Sequence, residues 1–475
     1  MNRISKKISL ILTILFLIHF YLYPSDLKVA ESLINGGKWS EAKIVIDNLL
    51  KEKLTYHKKK KLLFLKERMK RIRLDFNKTR EEVLDDAKKI YPDITETEFK
   101  KWDDMGDIEK KQIEGKILYF SEAGRNLFRV NNEAKAIKKK IHPSKNRIWN
   151  ALGGNIKEII NNYKNGKGSY NSKKKLHITF TVSIPPDTIP HGEILKVWLP
   201  FPKALDRQSN ITLSQSFPKK RLISSENSLQ RTIYFENIAI KGKPSKFKIK
   251  FKYDSTGFYK KIDPSKVTKP DLTDKEIKKH TGERLPHIYF SEKIKEISKQ
   301  ITGNEKNPYL IAKKIFIWVT ENIPWASARE YSTIDSISAY ALKNRWGDCG
   351  IQTLLFMTLC RLNGIPAKWE SGATAGSNYN IHDWCRIYIA PYGWIPVDPS
   401  YGQMPSGDPD IRFFYFGNID SYRIVYNSDY SREFYPLKTF FRSDTIDSQR
   451  GEAEWRGGNI YFNNRKWDLI PEEIK

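Results

Sequence analysis

Hydrophobic positions change their period several times along this 475-residue chain, and each change marks a candidate boundary. From residue 27 to about 73 the apolar positions recur at helical spacing, with Gly36-Gly37 as a break and Trp39 opening the next helix. Thr79-Arg80-Glu81-Glu82 and Thr95-Glu96-Thr97-Glu98 both match the capping box, in which Thr and Glu each satisfy the other's backbone N–H. Residues 111–120 predict a hairpin around Glu114-Gly115. Two helices and a hairpin outline a winged-helix-like module inside a helical region spanning 26–163. The polar stretch 164–175 reads as a linker. Short alternating runs at 176–184, 193–200, 210–216, 231–237 and 245–253 then predict a small β-sandwich over 176–262.

A third block starts near Pro286 and runs to 475. Asn307-Pro308 supplies an N-cap and a first-turn proline for a helix that turns Ala312, Ile315, Phe316 and Val319 inward. Apolar residues at 351, 354, 355, 359 and 362 predict another helix, stopped by Gly364 before Ile365-Pro366. Cys349 stands at its N-terminal end. Residues 380–389 alternate as a strand, with His382, Trp384, Arg386 and Tyr388 on one face and Asp383, Cys385, Ile387 and Ile389 on the other. Pro391-Tyr392-Gly393 turns the chain into a second short strand ending at Asp398, so a hairpin sets His382 beside Asp398. The aromatic tail from Gly402, with Phe413-Phe414-Tyr415-Phe416 and Trp455, is expected to complete the same core.

The chemistry concentrates at Cys349. At a helix N-terminus the macrodipole and unpaired N–H groups favour a thiolate, and they can hold an oxyanion when the sulfur attacks a carbonyl. A histidine 33 residues on and then an aspartate supply a base and its orienter. Cys360, about 16 Å further along the helix, and Cys385, facing away from His382, read as small buried hydrophobes. A zinc site from the three cysteines and His382 is disfavoured, since no C-x-x-C pair exists and His382 and Cys385 face opposite ways. The reading therefore calls for no cofactor and no metal.

The run 344–401 resembles the transglutaminase-like superfamily. The matching pieces are Arg345-x-Gly347-x-Cys349, the helix end Leu362-Asn363-Gly364-Ile365-Pro366-Ala367, His382-x-Trp384, and Trp394-x-Pro396-Val397-Asp398. The resemblance implies a papain-like fold with Cys349 as nucleophile, His382 as general base and acid, and Asp398 as orienter. The fold class is then α+β and multidomain: a helical N-terminal region, a small β-sandwich, and a papain-like catalytic core over 286–475. Members of the superfamily cross-link Gln to Lys, hydrolyse amides, or have lost the triad. The cross-linking enzymes place Trp after the cysteine and bind calcium, whereas this chain has Gly350 and no oxygen-rich ligand loop. Arylamine acetyltransferases share the triad order, but their glycine pair before the cysteine is absent. Hydrolysis of peptide or other amide bonds is the expectation; the alternatives are a protein-glutamine gamma-glutamyltransferase and a non-catalytic binding scaffold. Trp325, in Ile323-Pro324-Trp325, reads either as an indole donor to the oxyanion or as a core aromatic.

Charge changes the picture little. The net charge is +28, yet Lys246, Lys248, Lys250 and Lys252 alternate with apolar residues and so form the solvated face of one strand. No nucleic-acid partner is expected; attraction to anionic envelope polymers or lipid headgroups stays open. Three cysteines exclude a disulfide framework. Arg3, Lys6 and Lys7 precede an apolar run at 8–23, the pattern of an export signal that is either cleaved or kept as a membrane anchor. Residues 1–25 are thus a signal peptide or anchor, and the expected location is outside the cytoplasm: periplasmic, cell-surface or membrane-anchored. The expected partner is a peptide, protein or peptidoglycan-type amide substrate.

Overall fold

The computed structural model describes residues 26–143, 146–377 and 379–474, so the expected signal or anchor at 1–25 lies outside the described residues. Two compact units divide between Asn131 and Asn132. Among the described residues no helix is long and apolar enough to cross a membrane.

The first unit contains α1 (Asp26–Asn35), α2 (Trp39–Leu49), α3 (Tyr56–Asp75), α4 (Arg80–Lys88), α5 (Glu96–Asp104) and α6 (Ala123–Val130). A three-stranded sheet of β1 (Phe76–Lys78), β2 (Lys110–Ile113) and β3 (Lys116–Phe120) runs in the order β1-β3-β2. Both capping boxes form, at Thr79/Glu82 and Thr95/Glu98. Glu114 and Gly115 both take positive φ, the backbone that a tight two-residue hairpin requires. Buried Asp103 is satisfied by Tyr119 Oη, which donates to it at 2.7 Å, and by Lys110 Nζ at 2.8 Å.

The second unit opens with α7 (Asn132–Ile141) and α8 (Arg147–Lys164). The helical region expected to run to 163 therefore divides at 131. Helix α8 presents Leu152, Ile156, Ile159 and Ile160 on one stripe, and that stripe packs into the core that also holds the cysteine helix.

Two sheets form the sandwich. One, in the order β16-β4-β9-β6, joins β4 (Tyr170–Ile184), β6 (Gln208–Phe217), β9 (Ser245–Phe258) and β16 (Lys466–Ile474). The other, in the order β15-β14-β5-β8-β7, joins β5 (Ile194–Pro200), β7 (Leu222–Ile223), β8 (Thr232–Ile238), β14 (Glu452–Trp455) and β15 (Gly458–Ile460). Phe247, Ile249, Phe251 and Tyr253 of β9 point inward against Ile178, Phe180, Val197 and Phe235, which leaves the intervening lysines outside. Two expectations change here. Half of the polar stretch 164–175 belongs to β4, which begins at Tyr170. The end of the tail does not complete the catalytic core: Ala453 pairs with Val197 and Leu469 with Phe180, so the last strands close the sandwich. Single apolar residues such as Ala453 and Leu469 are buried there, and the surrounding sequence is too polar for its period to reveal the partner.

Between these strands lie α9 (Lys275–Lys278), α10 (Glu292–Thr302), α11 (Pro308–Asn322), α12 (Ile337–Asn344), α13 (Cys349–Leu362) and the single turn α14 (Pro409–Arg412). They accompany a four-stranded sheet of β10 (Ala367–Thr374), β11 (Asn380–Ile389), β12 (Gly393–Val397) and β13 (Arg423–Asn427), ordered β12-β11-β10-β13. Asn307 caps α11 by accepting from the N–H groups of Tyr309 and Leu310. Helices α11 and α13 bury Ile315, Phe316, Leu354 and Leu355 against Cys385, Ile387 and Ile389 of β11. Ala373 and Ile424, from β10 and β13, belong instead to the sandwich core. This four-stranded sheet is thus covered by helices on one face and by the sandwich on the other.

Candidate active site

Helix α13 begins at Cys349 because Asp348 caps it: the Asp348 side chain accepts from Ile351 N at 3.1 Å. The loop before it is pinned to the chain at Trp325, with Ala326 N donating to Gly347 O (3.0 Å) and Gly347 N to Pro324 O (3.2 Å). Cys349 is half-buried, while Cys360 and Cys385 are fully enclosed. The Cys349 thiol donates to Asp383 Oδ2 at 3.2 Å. Nearby, Tyr331 Oη donates to Asp348 Oδ1 at 2.6 Å.

These neighbours reverse one expectation. Burial first, then the carboxyls of Asp383 and Asp348, push the Cys349 thiol well above its ordinary range. The helix N-terminus cannot offset this, because Asp348 already occupies the N–H groups of Gly350 and Ile351. One feature works the other way: the backbone N–H of Asp383 is bonded to the same sulfur and favours its ionised form. Register explains the access. Pairing between β11 and β12 stops at Cys385↔Val397, so the segment 382–383 extends past the end of β12.

Glycine at 350 also has a physical cause. A Cβ there would stand 2.2 Å from Tyr331 Oη and 2.9 Å from Asp383 Oδ2. The space that a side chain after the cysteine would need is filled by these two groups.

His382 is buried and its Nε2 lies 2.7 Å from Asp398 Oδ2. Asp398 Oδ1 accepts from the backbone N–H of Ser400 (3.1 Å) and Tyr401 (2.9 Å). Arg423 Nη1 pairs with Asp398 at 2.9 Å, and its Nε donates to Asp420 Oδ2 at 2.8 Å. Burial pushes the Asp398 carboxyl up, but His382 and Arg423 outweigh it and hold the group below its ordinary value. A carboxylate accepts only, so Nε2 meets it with a proton, and in the neutral imidazole that leaves the lone pair on Nδ1. The imidazole packs against Tyr401 (ring centroids 4.4 Å apart) and Trp384 (6.0 Å).

The structure therefore brings His382 and Asp398 together and seats Cys349 on the next residue, Asp383. Among the described residues no hydrogen bond joins Cys349 to His382. Trp325 is 43% exposed and pairs through its backbone with Gly347, two residues before the cysteine. Three contributors were not singled out from the sequence: Asp383, Arg423 and Gln449. Gln449 Nε2 donates both to Asp383 Oδ1 (2.6 Å) and to the carbonyl of His382 (2.8 Å). Asp383 stood on the strand face opposite His382, a usable signal, whereas nothing local marks Arg423 or Gln449.

Comparison with known proteins bears on the stretch of chain that holds this site. Residues 295–399 match the family model of the transglutaminase-like superfamily. Uncharacterized protein YebA of Bacillus subtilis is 23% identical over 134 residues, 23% of this chain and 18% of its own length. An uncharacterized protein of Haemophilus influenzae is 28% identical over 144 residues, 24% of this chain and 37% of its own. The chain thus spans well under half the length of either relative. Among solved structures, a candidate cysteine protease from Cytophaga hutchinsonii is 15% identical with a TM-score of 0.45, covering 64% of this chain and 92% of the other. The periplasmic domain of TgpA from Pseudomonas aeruginosa is 12% identical with a TM-score of 0.25, covering 49% and 88%.

Proposed function

We propose that this protein, whose residues 295–399 form a transglutaminase-like domain, is an exported cysteine-dependent enzyme that hydrolyses peptide or other amide bonds. The observation that carries the reading is the buried His382–Asp398 pair, 2.7 Å apart, on the strand segment that also contacts the Cys349 sulfur at the start of a helix. In the reaction the thiol leaves Asp383 and gives its proton to His382 Nδ1. The thiolate adds to the substrate carbonyl carbon, and the backbone N–H of Cys349 holds the resulting oxyanion, with the exposed Trp325 indole as a further donor. The imidazolium returns its proton to the leaving nitrogen, the C–N bond breaks, and a thioester remains on Cys349. His382 then deprotonates a water, which attacks the thioester; the acid departs and the thiol re-forms. Asp398 holds the imidazole in the required tautomer throughout.

Hydrolysis is favoured over amine transfer by the surroundings of Gly350. Transfer to an amine must exclude water at roughly 55 M, which takes a dry apolar channel around the thioester. Here Tyr331 and Asp383, both polar, fill the position beside the nucleophile. The test is incubation with Gln-containing and other peptides plus a labelled primary amine. Hydrolysed peptide with little incorporated amine is expected; incorporation well above hydrolysis at millimolar amine reverses the order. The seating of Cys349 on a carboxyl favours the non-catalytic scaffold as second reading, and inertness of Cys349 towards iodoacetamide both in the native protein and after Asp383→Asn would support it. Export rests on the basic start and apolar run of residues 1–25. A reporter fused after residue 30 should be active only outside the cytoplasm, and cytosolic retention refutes it.

A further inference from the structure

We infer that Asp383 is a positioning residue that holds Cys349 in a resting thiol state, and that the C-terminal segment 444–449 fixes Asp383 for that task. This rests on the reading of Cys349 as the nucleophile. The two oxygens of Asp383 are divided between two partners: Oδ2 accepts from the Cys349 thiol (3.2 Å) and Oδ1 from Gln449 Nε2 (2.6 Å). The same amide nitrogen reaches the His382 carbonyl at 2.8 Å, so one buried side chain fixes both the carboxyl and the backbone that bears the base.

The segment carrying Gln449 is itself built rigidly. Asp444 Oδ1 accepts from the N–H groups of Ile446 (3.1 Å) and Asp447 (3.0 Å), and Gln230 Nε2 donates to Ile446 O at 2.6 Å. Arg442 Nη2 donates to Asp447 O at 2.7 Å. All of this lies outside residues 295–399, and Gln449 with its segment adds to the site something the family block does not contain.

A carboxylate that accepts an S–H bond keeps the proton on sulfur, since ionising the thiol would place two negative charges in contact. The groups facing Asp383 reinforce that. Asp348 and Cys349 face it from the start of α13, Tyr331 from the turn before α12, and Asp444, Asp447 and Gln449 from the tail. Burial, and then the carboxyls of Asp444 and Asp383, push Asp447 well above its ordinary value. The nearest cations act one step away: Arg450 on Asp348 and Arg442 on Asp444. Activation then requires the sulfur to leave Oδ2 for His382 Nδ1. The gate blunts chance oxidation or alkylation of a resting nucleophile, and bound substrate would displace the sulfur from it.

The experiment compares Asp383→Asn with the unaltered full chain, by iodoacetamide labelling at pH 8, about one unit above the pH where Asp383 ionises, read peptide by peptide. Removing the charge should speed labelling of Cys349 about tenfold or more, the change in thiolate fraction for one pKa unit. Cys360 and Cys385 gauge the fold and should stay protected. A Cys349 rate equal to or below that of the unaltered chain, with both gauges protected, overturns the gate. Should the variant expose the gauges, the unaltered chain decides alone. Its labelling rate should flatten against pH near 7, where Asp383 ionises, and a tenfold rise per pH unit throughout overturns the proposal. Absence of labelling at Cys349 in both proteins overturns the nucleophile reading and the gate with it, whereas equal labelling removes the gate alone.

Discussion

Arg423 divides its charge between two buried carboxylates, and only one of them touches the histidine. That asymmetry separates a structural from a chemical role for Asp398. Asp398→Asn and Asp420→Asn each remove one negative charge from a guanidinium with no exposure to solvent. Breaking a buried ion pair by removing one partner costs about 3–5 kcal/mol when nothing compensates. Here the second carboxylate stays in place, and the amide oxygen can still accept, so each variant should lose about 3 kcal/mol at most. For a unit of this size that corresponds to a fall of roughly 5 °C in Tm. The two should differ in chemistry. The amide introduced by Asp398→Asn can donate towards His382 Nε2, which moves the ring proton to Nδ1 and removes the lone pair that must accept from the thiol. By the logic of such triads the loss is about 10³–10⁴ in kcat, or about 4–5.5 kcal/mol of barrier. Asp420→Asn should stay within about threefold of the unaltered enzyme, a loss under about 1 kcal/mol. The assay is thermal unfolding by circular dichroism beside hydrolysis of the test peptides used for the proposed activity, with both variants confirmed to be folded at the assay temperature. Equal turnover losses in both variants would refute the argument, because they would make the effect one of stability. Unchanged turnover in Asp398→Asn would move Asp398 to a purely structural role.

Gly350→Ala inverts the usual helix preference: alanine normally gains about 1 kcal/mol over glycine in a helix, but its Cβ would sit 2.2 Å from Tyr331 Oη, which Asp348 holds in place. A net loss of at least about 1 kcal/mol in denaturant unfolding is expected, and a gain in stability would show that Tyr331 moves aside freely. A pH dependence follows from the acidic cluster. Burial, with Asp348 next, raises Asp383 to about 7, so the folded state keeps a proton that the unfolded chain releases near 4. Its contribution is therefore most favourable below about 4 and is lost as pH rises through 7. His280 and His287 act in the opposite sense: burial lowers both to about 4, so they cost stability as pH falls from 6.5. Tm measured from pH 5.5 to 8 should fall more steeply with rising pH in the unaltered protein than in Asp383→Asn, and parallel curves would contradict the assignment.

Local sequence determined the parts whose physics is local. The capping boxes at Thr79 and Thr95 close within four residues, and the Glu114-Gly115 turn needs only two that accept positive φ. The 2.0 period of residues 245–253 separates lysines from the buried Phe247, Ile249 and Phe251 without reference to any partner. The apolar helix after Cys349 and the alternation around His382 are legible for the same reason, and the tight turn at 390–393 makes the neighbourhood of His382 and Asp398 a local matter too. Tertiary structure decided the rest. Which core α8 joins depends on whose surface complements its stripe, and the return of β14 and β16 to the sandwich depends on open strand edges far away in sequence. The polar interior of the site is the clearest case. Arg423 and Gln449 reach the site from 25 and 51 residues beyond Asp398. Hydrophobic residues announce themselves by period because a whole face must be buried, but a buried polar group needs a single partner at about 3 Å. One partner leaves no period in the sequence, so the seat of the Cys349 thiol, on Asp383 and not yet on His382, emerges only once the chain has folded.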